Sequence, residues 1–169
     1  MKKSDLVREV QAANEAVTMK LPFKSVDIST ILHATEDEEK VSQALSLLLP
    51  EDVSLEREEA EGHYGDSKVI LSASIENRPH MRKFWDKVLE LLSESERDWL
   101  SRNAVDRIAD DCTLYLRFDK QFLVGEERLK FTKSGDIVHV RMNVSAYPAK
   151  KELAVEKMRE FVEAGLDYD

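Results

Sequence analysis

Only one cysteine, Cys112, occurs in the chain, so no internal disulfide can staple the fold, and a reducing, cytoplasmic setting is the simple expectation. Cys112 itself reads as a small buried hydrophobe. Long apolar runs are lacking as well: the longest is Leu47 to Pro50, far short of a membrane span. Lys2 and Lys3 are followed by no apolar stretch of leader-peptide length. The sequence has no phosphate-binding glycine loop, dinucleotide fingerprint or serine nucleophile elbow, which removes the familiar nucleotide-hydrolysing, redox and esterase signatures. The acidic runs have no His or Cys at ligand spacing, so neither a metal nor another cofactor is expected. Internal repeats and low-complexity tracts are absent.

What is present is charge and pattern. The 169 residues are 35% charged and 42% apolar, enough to bury one good core without staples. The net charge of −9 is spread unevenly. Residues 1–61 carry −7, 62–111 carry −2 and 152–169 carry −4, whereas 112–151 carry +4. Charges are screened over about 8 Å at physiological salt, so a basic segment acts locally inside an acidic chain. The global charge argues against indiscriminate nucleic-acid binding and leaves room for a local anion site.

Leu6, Val10, Ala13 and Val17 form a thin helical stripe that ends at Pro22. Residues 1–24 read as an N-terminal extension, helical or disordered, and residues 25–169 as one domain. Val26, Ile28, Thr30 and Leu32 alternate as in a half-buried strand. Thr35 and Glu38 predict a capping box for a helix that buries Val41, Ala44, Leu45, Leu48 and Leu49 and stops at Pro50. Val53 to Glu59 is a weak strand and Lys68 to Glu76 a firm one, with Gly62 and Gly65 marking the loop between. Asn77 caps a helix with Pro79 in its first turn and Met81, Phe84, Trp85, Val88, Leu89 and Leu92 inward. Ser93 and Glu96 form a second capping box, opening a helix to about Ile108. Leu114, Leu116 and Phe118 alternate in a strand, and one helical turn follows, closed by Gly125. Glu127 to Val144 predicts a hairpin turning at Ser134-Gly135-Asp136. A last helix from Pro148 buries Ala154, Met158, Phe161 and Val162 and stops at Gly165. This order predicts an α+β fold of two layers: a largely antiparallel, curved sheet of four to six strands with amphipathic helices packed on one face.

In ERLKFTKSGDIVHVRMNV, Leu129, Phe131, Val138, Val140, Met142 and Val144 alternate with Arg128, Lys130, His139, Arg141 and Asn143. If the first set faces the helices, the second faces away. Tyr115 and Arg117 of the preceding strand join them, giving three neighbouring strands an open basic face. Cations for phosphates and flat groups for bases are one physical solution to binding single-stranded or looped RNA. Lys and Arg on exposed strands also deter edge-to-edge pairing, and Tyr115 is the sole aromatic of the stripe. Elsewhere, Glu36 to Glu39 reads as a helix start and Glu56 to Glu61 as a solvated run. His63 and Tyr64 read as turn-stabilising groups, and Arg78, Arg82, Lys83 and Lys87 as the wet side of the Trp85 helix. Asp110, Asp111 and Asp119 flank a strand, and a two-metal nuclease would need them to converge.

DISTILHATEDEEKVSQAL, EGHYGD before a strand, ENRPHMRKFW, LYLRFDKQ and GDIVHVRMNV occur in this order. Together they resemble a small archaeal family described as predicted RNA-binding proteins or exosome subunits, over roughly Val26 to Val162. EGHYG and FDKQ are the most specific pieces, and neither is catalytic. The family fold is similar to that of the ribosomal protein that binds 5S rRNA, which implies the same α+β architecture. The resemblance implies a non-catalytic cytoplasmic RNA-binding protein, its RNA ribosomal or a processing substrate. It implies association with an exosome, a ribosome or other protein subunits, with a homodimer as a further expectation. Arg117, Arg128, Lys130 and Arg141 are then the expected phosphate contacts, Tyr115 and His139 the stacking or base-edge groups, and Lys120 and Gln121 of FDKQ the rim. The chain departs from the family pattern at Asp66, where Asn is usual; a charge there disfavours a phosphate. The competing expectation is a protein-interaction or oligomerisation module using the acidic helical surface at residues 36–40 or the last helix. A metal-dependent nuclease using Asp110, Asp111 or Asp119 is the third.

Overall fold

A computed structural model describes residues 20–61 and 67–168; the expected helix of the N-terminal extension and residues 62–66 of the EGHYGD loop fall outside the described residues. The elements in chain order are β1 (Phe23–Leu32), α1 (Glu38–Ser46), β2 (Glu56–Glu61), β3 (Ser67–Ile75), α2 (Arg78–Leu91), α3 (Glu94–Asn103), β4 (Thr113–Asp119), α4 (Lys120–Glu126), β5 (Ile137–Val144) and α5 (Lys151–Glu163). A 3₁₀ turn at Val105–Arg107 links α3 to β4. The strands form one antiparallel sheet in the order β2-β3-β1-β5-β4. The α+β reading therefore holds, with helices covering one sheet face. No helix among the described residues is long and apolar enough to cross a membrane.

Alternation decides which face is covered. Ile28, Leu71, Ala73, Leu116, Val140 and Met142 are buried, while their strand neighbours are half-buried or exposed. β1 breaks phase once: an irregularity between Phe23 and Ser25 lets Phe23 and Val26 both point inward. Phe23, Trp85 and Phe161 then meet, with ring centroids 5.5 to 5.9 Å apart. The buried Trp85 indole N–H donates to the Leu166 carbonyl at 2.9 Å, tying α2 to the chain just beyond α5. That bond removes the cost of an unpaired donor, about 1–3 kcal/mol.

The helix starts are local chemistry. Asn77 accepts from the His80 N–H, with Pro79 in the first turn of α2, as the sequence predicts. Ser93 likewise accepts from Glu96 N–H at 3.2 Å. The capping box is only half formed, because the Glu96 carboxylate instead accepts from the Phe131 N–H at 2.7 Å. The cap of α1 is Asp37 rather than Thr35: its side chain accepts from the Glu39 and Lys40 N–H groups, and Thr35 lies in the turn before the helix. α4 runs through Gly125 and closes at Glu127, which adopts the left-handed conformation at φ 57°.

The largest departure is the expected hairpin. Residues 127–136 do not pair with β5, because β1 and β4 already occupy both of its edges. The segment runs instead along the outer edge of β4, where Lys130 O accepts from Asp119 N–H and Thr132 N–H donates to Arg117 O. Leu129 and Phe131 still bury at period two, Phe131 lying 4.8 Å from Phe118 and 4.5 Å from Trp99 between ring centroids.

Candidate nucleic-acid interface

The face of the sheet away from the helices can be read row by row from the strand register. One row runs Tyr115, Arg141, Asp27, Ser74 from β4 to β3. The next runs Arg117, His139, Ser29, Ser72 and on to Glu56 of β2. Beyond it, Asp119 pairs with Ile137 across β4 and β5, and Ile31, Ile70 and Glu58 form a row across β1, β3 and β2. Directly opposed side chains stand about 4.5–5.5 Å apart at Cβ, so each row is a set of neighbours. In the first two rows the cationic and aromatic side chains stand on β4 and β5. Crossing the sheet, these two rows pass to Asp27 and serines, and the second reaches Glu56 of the acidic edge strand β2.

Arg117 and Arg141 are exposed, and among the described residues neither has a carboxylate within ion-pair distance. His139 lies between them in register. Burial, then the charges of Arg117 and Arg141, hold its imidazole pKa below the ordinary histidine value. It is therefore neutral at pH 7, able both to donate and to accept. Arg107, from the 3₁₀ turn, is held with its guanidinium carbon 4.7 Å from the Trp99 ring centroid. It borders the same corner, sharing a hollow with Tyr115 and Arg117. Strand alternation gives no signal for Arg107, since it reaches the face from the helical layer.

Arg128 and Lys130 are exposed but leave the expected hairpin with their segment. They line a shallow hollow with Ser93, Ser95 and Phe122, and Lys130 Nζ sits 5.5 Å from the Phe122 ring centroid. This puts them beyond β4, flanking the corner instead of standing beside β5.

Lys120 is not at a solvent rim. It is 1% exposed, and its ammonium contacts the Ile31 carbonyl at 2.6 Å, Glu36 Oε1 at 2.7 Å and Asp136 Oδ1 at 3.4 Å. All three ammonium donors have partners, so no phosphate contact is left to it. Gln121 donates to both carboxylates, at 3.0 and 2.9 Å, and His33 Nε2 lies 3.2 Å from Asp136. Burial works to raise the Glu36 pKa, but the His33 N–H, Lys120 and Gln121 outweigh it and hold it below the usual value. Asp136 is lowered the same way: burial opposes, and Gln121, Lys120 and His33 prevail. His33, Glu36 and Asp136 place three ligand atoms within 4.8 Å of one another. The lysine ammonium between the carboxylates already supplies the positive charge that a metal ion would bring.

The remaining candidates separate. Asp110 is exposed beside Lys151 at 3.6 Å, Asp111 accepts from the Thr113 N–H, and Asp119 caps α4 through the Phe122 N–H. The six steps of β4 hold Asp119 about 20 Å from the other two, too far to share a pair of metal ions. The acidic run at residues 36–40 is largely engaged internally, Glu36 with Lys120, Asp37 as a cap and Glu38 with Arg57 at 2.9 Å. Arg78 and Arg82 belong to the helical layer, beside a cavity of about 120 Å³ with Lys20 and Tyr168. His80 is bound between Asn77 and Asp52.

The model of a family described as RNA binding matches residues 25–144, from within β1 to the end of β5. RNA-binding protein PAB1135 of Pyrococcus abyssi is 39% identical over 150 residues, 85% of this chain and 96% of its own length. The uncharacterized protein MJ0213 of Methanocaldococcus jannaschii is 30% identical over 155 residues, 86% of this chain and 99% of its own. The solved structure of Mth689, a DUF54 protein from Methanothermobacter thermautotrophicus, is similar with a TM-score of 0.68 at 34% identity, covering 83% of this chain and 98% of that one.

Proposed function

The chain belongs to the RNA-binding family, and from that premise we propose that it binds RNA without catalysis through the β4–β5 corner of its open sheet face. One observation carries this reading: two exposed guanidiniums, Arg117 and Arg141, have no carboxylate partner among the described residues and flank a neutral His139 with Tyr115 alongside. Guanidiniums suit phosphate, and a flat phenol and an imidazole suit bases. Arg128 and Lys130 extend the cationic track beyond β4, and Lys120 contributes only by holding the sheet end together. The larger setting in this proposal is RNA processing, on an exosome or a ribosome, and the RNAs crosslinked to the protein in cells would identify it.

Fluorescence-anisotropy titration of single-stranded and structured RNA at two salt concentrations tests the reading. For the Arg117→Glu/Arg141→Glu double variant, the dependence of log affinity on log salt should flatten by about 0.7–0.9 for each phosphate that the protein no longer neutralises. A folded double variant with wild-type affinity and slope would move the interface elsewhere.

A further inference from the structure

Two hollows open on the sheet corner, and Tyr115 belongs to both. One, of about 460 Å³, is bordered by Asp27, Tyr115, Arg141 and Asn143. The other, of about 320 Å³, is bordered by Asn103, Asp106, Arg107, Tyr115 and Arg117. Both fall within the roughly 300–1,000 Å³ range of small-molecule sites. We propose, resting on the RNA reading of this face, that Tyr115 is a wedge straddled by two successive unstacked nucleotides of single-stranded RNA, and that the larger hollow selects guanine.

The wedge follows from position. Tyr115 is 39% exposed in the middle of a polar corner, and its hydroxyl has no hydrogen-bond partner among the described residues. A ring so placed offers a face to a base on either side. The larger hollow holds Lys24 beside Arg141, and the smaller one holds Arg117, so successive phosphates each find a cation while Arg141 stays free for a base edge. Arg107, already stacked over Trp99, supplies a second planar cation to the smaller hollow. In a duplex the bases are paired and stacked, so only an unpaired strand can straddle the ring.

The choice of guanine follows from Asp27. Carboxylates on a phosphate-binding surface oppose the backbone; in the larger hollow Asp111 is engaged by the Thr113 N–H, and Asp27, the register partner of Arg141, is the one placed to read a base. Asp27 and Arg141 are direct register partners, yet no ion pair forms between them. Asp27 Oδ1 accepts from Ser74 Oγ at 2.6 Å, which orients the carboxylate and leaves Oδ2 and the second lone pair of Oδ1 for a ligand. Guanine has two adjacent N–H donors on its pairing edge, matched to a carboxylate, and the O6 and N7 acceptors beside them, matched to a guanidinium. Adenine and cytosine lack the paired donors, and uracil lacks the O6–N7 edge.

The test uses short uridine oligonucleotides bearing guanine, inosine or adenine at one central position, titrated against the full chain, with circular dichroism confirming that each variant is folded. Wild type should bind the guanine oligonucleotide about ten-fold more tightly than the inosine one, which lacks the exocyclic amine. Asp27→Asn should erase that preference while binding the all-uridine oligonucleotide as tightly or more tightly, since a repelling charge is gone. Tyr115→Ala should weaken every oligonucleotide about ten-fold, and Tyr115→Phe should restore binding. If wild type binds single strands without preferring guanine, or if Asp27→Asn keeps the preference, guanine selection is overturned while the RNA reading stands. An unchanged Tyr115→Ala overturns the wedge. Absence of binding to any RNA at low salt overturns the RNA reading and this proposal together.

Discussion

Lys120 and His139 are charged or chargeable groups that the fold treats in opposite ways. Lys120 is enclosed with two carboxylates and the Ile31 carbonyl, so its removal leaves Glu36 and Asp136 facing each other without a cation. Lys120→Met should lower stability by about 3 kcal/mol at pH 7 in urea denaturation, the scale of a buried pair broken on one side. Both carboxylates have folded pKa values below their ordinary ones, so they contribute stability above the unfolded carboxylate pKa of about 4 and lose it as pH falls. The gap between wild type and Lys120→Met should therefore narrow towards pH 3. His139 works the other way on binding. Burial and two neighbouring guanidiniums depress its pKa, and the folded state gives up stability as pH drops below about 6.5. Phosphates laid against Arg117 and Arg141 would cancel their field and let His139 take up a proton. RNA affinity should then rise several-fold from pH 7.5 to pH 5.5 in anisotropy titrations, and His139→Gln should flatten the profile.

Among the elements, the segment between α4 and β5 separates what pattern reveals from what it does not. Its period of two was legible, and Leu129 and Phe131 do bury. Its partner was not, because alternation states which side a residue faces and is silent on which strand lies alongside. With both edges of β5 taken, the segment docks on β4 and is pinned at its middle by Glu96. Glu96→Ala removes the acceptor of the Phe131 N–H and should cost about 1–2 kcal/mol. Faster hydrogen exchange at Phe131 and Thr132, with β1 and β3 unaffected, would mark the effect as local. The same limit applies to the candidate site. Tyr115, Arg117, His139 and Arg141 were readable from strand alternation alone. Asp27 required knowing that β1 pairs with β5, and Arg107 required the packing of a helical turn. FDKQ stood out in the sequence for a reason other than surface chemistry: Asp119 caps α4 and Lys120 and Gln121 bind the Glu36–Asp136 pair.

At the scale of the molecule, charge and topology are arranged together. The acidic strand β2 closes one side of the sheet and the cationic corner the other, so on the proposed reading a strand of RNA would be attracted to one end of the open face and repelled from the opposite end. That polarity is compatible with a local anion site in a chain of net charge −9. The order of the strands has a further consequence, for the birth of the protein. Central β1 pairs with β3 on one side and with β5 on the other, and Met142, the partner of Val26, is made more than a hundred residues later. At ribosomal speeds of about 5–20 residues per second, a nascent β1 spends roughly 6–20 s with one flank open. Pairings so distant in sequence are slow to close. The strand that completes the middle of the sheet is also the one that carries His139 and Arg141, so the cationic corner is among the last parts of the molecule to come into being.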